Sequence, residues 1–179
     1  MASAFLKELK DRWHIEEALK RYLWGVDRDD EPLRLSAFAP NGSMEIEGLQ
    51  FGGPLATPRS TFPPIQGVPP REQILSSDHH LHHFEIRIVG DEAFVASHAT
   101  AYILADRQRG KGAEMLVRGL RYHDHFIRVG NDWGIRKRIH MVDWQYIAPA
   151  EISRRSVDRA TFGNFVDMQA RAPPHPSVA

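Results

Sequence analysis

The sequence predicts an α+β domain in which helices come first and a curved antiparallel sheet follows. Three observations lead there. Apolar residues between Phe5 and Val26 recur three and four apart, as on an amphipathic helix. From residue 80 to residue 146 the chain is a succession of strand signals joined by turn-forming residues. Between the two, residues 48 to 70 hold six prolines and four glycines with almost no periodicity, which is the composition of a long irregular loop.

The first helix is the clearest element. At about 100° per residue, Ile15, Ala18, Leu19, Tyr22, Leu23 and Val26 fall within one arc, and Asp27 lies just past its edge. That acid either stands beside the buried stripe or simply opens the loop Asp27-Arg28-Asp29-Asp30. Asp30 is suited to cap a short second helix carrying Pro32, Leu33, Leu35 and Phe38 and ending at Pro40-Asn41-Gly42. Ser43 to Glu47 alternates as a strand. The 48–70 loop is either a lid over a binding site or an ordered surface excursion, and a short helix is expected from Pro70 to Ser76.

Four strands then follow, over 80–89, 92–105, 114–129 and 132–146. Gly90-Asp91, the 107–112 loop and Gly130-Asn131-Asp132 join them into an antiparallel meander. The first helix is expected on the concave side of that sheet. One domain over 1–148 is expected, followed by a 149–179 extension with a helix around Glu151 to Met168 and a disordered Pro-Pro-His-Pro-Ser end.

Composition narrows the function. Lys plus Arg and Asp plus Glu balance at 23 each, so no net field favours nucleic acid or an anionic membrane. The absence of cysteine removes disulfides, zinc-thiolate sites and thiol nucleophiles, and suits a reducing compartment. With no signal-peptide core and no long apolar run, a cytoplasmic protein is expected.

Chemistry concentrates in Ser77-Asp-His-His-Leu-His-His-Phe84, which places four of the ten histidines in five positions. Imidazoles titrate near neutrality and serve as bases or metal ligands. Strict alternation puts His79 and His83 on one face, and His80 and His82 on the other with Phe84, Ile86 and Ile88, unless a bulge resets the parity. On the next strand His98 shares a face with Phe94, Thr100 and Tyr102, as a pocket liner or as a core histidine. Near the end, alternation sends Arg136, Arg138 and His140 to one side and Lys137 to the other. His80 with His82, or His123-Asp124-His125, has the two-residue spacing of a chelating pair, but no third ligand is placed by spacing.

Specific wording adds a resemblance. Tyr22-Leu-Trp-Gly-Val-Asp27 closes the first helix and Phe38-Ala-Pro-Asn-Gly-Ser leads to a strand. His79 runs to Gly90-Asp91, Gly119-Leu-Arg-Tyr-His-Asp leads through Asn131-Asp-Trp-Gly to Arg138, and Val142-Asp143-Trp144 finishes the pattern. Together these resemble the SnoaL-like branch of the nuclear transport factor two-like superfamily, over residues 10 to 146. The resemblance implies a cone-shaped barrel of curved antiparallel sheet wrapped around N-terminal helices. Within the branch the chain looks like lindane dehydrochlorinase and bile acid 7α-dehydratase, and more distantly like scytalone dehydratase.

That likeness implies a catalytic His79–Asp27 dyad, with Tyr22 and Arg138 as further catalytic residues. It also implies homo-oligomers, dimers or trimers. His83 stands where the family often has Asn, and the 48–70 loop is unusually long for the pattern. His83, His98, Tyr102 and Trp144 are expected to contact substrate.

A carboxylate that holds one nitrogen of an imidazole fixes its tautomer and lets the other nitrogen take a proton. A phenol and a guanidinium then meet the charge that develops at the leaving group. The expectation is a lyase needing neither metal nor organic cofactor, acting on a small hydrophobic cyclic or aromatic substrate. An isomerase, an aldol-type cyclase or a carbon–carbon lyase would use the same dyad. A small-molecule binder, or a structural subunit like the β subunit of ring-hydroxylating dioxygenases, would not.

Overall fold

The helix expected over 5–26 forms and extends at both ends, so that α1 spans Ala2–Arg28 in a computed structural model. The structure describes residues 2–46, 49–51, 67–106 and 112–151. The centre of the expected loop and the tail beyond 151 therefore lie outside the described residues. Ile15, Ala18, Leu19, Tyr22, Leu23 and Val26 are all buried, as the arc requires, while Phe5, Leu6, Leu9 and Trp13 are exposed.

Asp30 caps α2 (Glu31–Leu35), its carboxylate accepting from the Leu33 amide at 2.9 Å. The helix is shorter than expected. Phe38 to Gly42, read from sequence as its end, belong instead to β1 (Phe38–Ile46), whose register against its neighbour is broken between Phe38 and Ser43. The break lets Asn41 sit at φ 61° within a strand. Gly25 permits the close approach of the two helices, because a Cβ there would come within 2.4 Å of the Arg34 amide nitrogen.

After β2 (Leu49–Phe51) and a single 3-10 turn (Arg71–Gln73) where a short helix was expected, the meander runs β3 (Ile74–Val89), β4 (Glu92–Ala105), β5 (Ala113–Val129) and β6 (Asp132–Ala150). The whole histidine run is therefore strand, and β6 passes the expected domain boundary at 148. The sheet order is β2-β1-β6-β5-β4-β3, antiparallel throughout except that β1 pairs with β6 in parallel. It curves around α1, giving the α+β architecture the sequence predicts.

The core lies between α1 and the concave face, where Ile15, Leu19, Phe126, Trp133 and Ile135 are almost wholly buried. Each such side chain contributes about 1.5–3 kcal/mol relative to exposure. One polar clamp holds the first half of the helix in place. Asp11 accepts from both terminal nitrogens of Arg128 at 2.8 Å and from the Trp133 indole at 3.0 Å, and the guanidinium lies 4.5 Å from the Trp133 ring centre. No described helix is long and apolar enough to cross a membrane.

Candidate active site

The end of α1 and the start of β3 meet at one carboxylate. Asp27 Oδ1 lies 2.5 Å from His79 Nδ1 and accepts from the Ser77 hydroxyl at 3.0 Å. Its Oδ2 accepts from the His79 backbone amide at 2.9 Å. Both side chains are 9% exposed. Burial pushes the Asp27 carboxyl up, but the His79 ring and amide and the Ser77 hydroxyl outweigh it and hold its pKa below the ordinary value. The carboxylate thus occupies Nδ1 and leaves Nε2 as the ring nitrogen open to chemistry.

His79 lines a narrow cavity of about 70 Å³, shared with Tyr22, Met44, Arg118, Tyr122 and His140. That is well under the roughly 300–1,000 Å³ of ordinary small-molecule sites. The dyad also borders a separate groove of about 270 Å³ beside Lys20 and Trp24. A larger depression of about 550 Å³, lined by Arg87, Phe94, His123, His125 and Lys137 among others, occupies the outer face of the sheet and contains neither dyad residue. Among the cavities that the described residues form here, the smaller, inner one is where the dyad imidazole and a phenol share a wall.

Tyr22 reaches this cavity from the apolar arc of α1, its hydroxyl 3.3 Å from the Met44 sulfur. Arg138 stands behind the wall rather than on it. It is 1% exposed, bound through two nitrogens to Asp124 at 2.7 and 2.6 Å, and stacked 4.0 Å from the Tyr22 ring centre and 4.4 Å from that of Tyr122. Burial alone would lower its pKa. The paired Asp124 charge more than offsets this and raises it, so the guanidinium stays ionised.

The expected substrate contacts fare differently, and bulges explain why. Leu81 pairs with Ala99 and Phe84 with Ser97, so His82 and His83 together oppose His98. The extra residue overturns strict alternation. His79 and Leu81, not His80 and His82, share the inner face with Phe84, Ile86 and Ile88. His83 is turned outward and stacks on His98 at 4.5 Å between ring centres. His98 and Tyr102 do share a face, as expected, but it is the outer one, because Val95, Ser97, Ala99, Ala101 and Ile103 fill the inner side.

Trp144 is likewise outside. It lies against Gly119, where a Cβ would meet its ring at 2.2 Å, and it is 51% exposed. A further bulge between His125 and Phe126 makes Arg136 the extra residue. Arg136 is exposed, so it does not share the inner side with Arg138 and His140 as alternation predicts.

His80 and His82 bond to Asp78 and Thr100 on the outer side, and among the described residues no three His, Asp or Glu side chains are grouped to hold a metal ion. Sequence reasoning missed Ser77, Arg118 and Tyr122 as parts of the site. It placed His140 only by parity with Arg138, and that parity was the one signal available.

Residues 7–139 match the SnoaL-like domain family. Solved structures share the fold at low identity. A hexachlorocyclohexane dehydrochlorinase of type 2 superposes with a TM-score of 0.66 at 16% identity, covering 85% of this chain and 99% of the other. A scytalone dehydratase-like protein from Novosphingobium aromaticivorans gives 0.61 at 17%, covering 88% and 100%. An NTF2-like protein with a cystatin-like fold from the same organism gives 0.59 at 18%, covering 79% and 88%. A search of curated proteins found no match. With three quarters of its length matched to the family model, the chain belongs to the SnoaL-like domain family, and it shares its fold with these neighbours.

Proposed function

We propose that the protein is a cofactor-independent lyase that removes water from a small cyclic substrate by base-initiated elimination. The observation that carries this reading is the Asp27–His79 contact at 2.5 Å beside a cavity that Tyr22 also lines. Neighbours named for dehydrochlorination and scytalone dehydration support the reaction class.

In the step, Nε2 of His79 takes the proton from a carbon next to a carbonyl, and that C–H pair becomes the new C=C bond. The neighbouring C–O bond breaks, and the departing hydroxyl takes the Tyr22 proton to leave as water. The imidazolium formed lies against the Asp27 carboxylate, which stabilises it and keeps Nε2 directed at the cavity. Arg138 acts through Tyr22. Held by Asp124, its guanidinium packs 4.0 Å from the Tyr22 ring centre and fixes the ring in place, so Arg138 is a positioning residue here.

The test is the rate of enone formation, read by ultraviolet absorbance, from a panel of β-hydroxycyclohexanones. Turnover by the native chain should fall about 10²- to 10⁴-fold in His79→Gln and comparably in Asp27→Asn, with the fold intact by circular dichroism. Unchanged turnover in His79→Gln would refute the mechanism. Binding of a panel member without any turnover would favour a carrier over an enzyme.

A further inference from the structure

His140 is 8% exposed on the inner face of β6, and neither of its ring nitrogens has a hydrogen-bond partner among the described residues. Its ring lies 4.9 Å from that of Tyr122 and forms part of the same cavity wall as His79 and Tyr22. Two unpaired nitrogens on one buried side chain are unusual, since buried polar groups are almost always bonded and an orphan is costly to keep. Such a cost persists where the group meets a ligand.

We infer that His140 is a substrate-binding residue that grips a hydroxyl group on a neutral substrate, on the side of the cavity facing the dyad. The inference rests on the lyase reading only in taking the same cavity as the binding site. A neutral imidazole offers one N–H donor and one lone pair whichever tautomer it adopts, and a hydroxyl, able to donate or accept, pairs with whichever of the two nitrogens faces the cavity. Burial, then the charges of Arg118, Arg138 and His79, push the His140 pKa down to about 3, so the ring is uncharged at neutral pH. The same two arginines disfavour a cationic ligand. A halogenated hydrocarbon would leave both nitrogens unpaired, so the site selects oxygenated rings over halocarbons of the same shape. Sites built to bond a hydroxyl reject analogues lacking it far more strongly than apolar pockets reject a change of size.

The probes are phenol and toluene, titrated against the full chain with ¹⁵N-labelled histidine and by calorimetry, in the native protein, His140→Phe and His140→Asn. Phenol should shift the His140 ring nitrogens and bind at least about tenfold more tightly than toluene. That preference should vanish in His140→Phe and return in part in His140→Asn, which keeps one donor and one acceptor. Three results would each overturn the inference: no phenol binding at millimolar concentration, equal affinity for the two probes, or a preference that survives His140→Phe. If His140→Phe does not fold, the nitrogen shifts in the native protein decide alone. Failure of the dyad reading shows separately, as turnover retained in His79→Gln, and leaves the phenol preference untouched.

Discussion

At the scale of single residues, the site is set by how each buried charge is matched. Arg138 and Asp124 sit directly opposite each other on β6 and β5, at 1% and 0% side-chain exposure. Removing the acid leaves a guanidinium in the core with two tyrosine faces and no counter-charge. Asp124→Asn should therefore cost about 3–5 kcal/mol of stability by urea unfolding, against little change for a paired replacement of both residues by apolar ones. A loss below about 1 kcal/mol would show that the stacking alone satisfies Arg138.

Acid has a separate, residue-specific signature. Asp11, held well below the ordinary carboxylate range chiefly by Arg128, stabilises the fold above its unfolded value of 3.8, as does Asp27, and both contributions are lost as pH falls through their lowered folded values. His140 acts higher up the scale. The unfolded chain protonates it near 6.5 and the folded chain near 3, so stability should decline as pH falls from 6.5. Urea midpoints measured from pH 7 to about 4 should fall in the native protein and fall less in His140→Phe. Equal slopes would mean that the ring charges inside the fold.

At the scale of elements, the positions of the bulges decide which histidines share the inner face with the core. The helix arc from Ile15 to Val26 and the strand boundaries at 92–105 were legible because 3.6- and 2-residue periods are written in the apolar residues. His79 and Asp27 were legible through the family's spacing. The inward or outward sense of His83 and Arg136 was not, because one unpaired residue inverts every side chain beyond it while leaving composition unchanged. His98, Tyr102 and Trp144 were misplaced for a related reason. Alternation says which residues share a face, while the choice of face depends on where α1 packs, and only the burial of Ala99, Ala101 and Ile103 opposite them reveals that. Deleting His83 tests the bulge directly. With one residue opposite His98, plain alternation puts His79, Leu81, Phe84, Ile86 and Ile88 all on the inner face. The deletion should therefore keep cooperative unfolding, as should His83→Asn, which preserves the count. Loss of cooperative unfolding in the deletion variant alone would show that the strand needs the unpaired residue itself.

At the scale of the whole molecule, the concave face is filled by α1 while the outer face carries aromatic rings that no other described residue covers. Phe94, Tyr102, Trp144 and Tyr146 are all more than a third exposed, with Trp144 stacked on Tyr146 at 6.2 Å. Folded monomers seldom leave a large apolar patch in water, and a formal net charge of zero supplies little repulsion between copies. Self-association through this face is the expected outcome, giving the dimer or trimer that the family resemblance implies. Light scattering at micromolar concentration should report that mass, and Tyr146→Glu with Phe94→Glu should lower it to a monomer. Tyr22, Asp27, His79 and His140 all come from one chain and face the opposite side of the sheet, so the monomeric variant should retain turnover per chain. A native monomer would remove the association. Activity lost together with the oligomer would instead mean that a neighbouring copy helps to close the cavity.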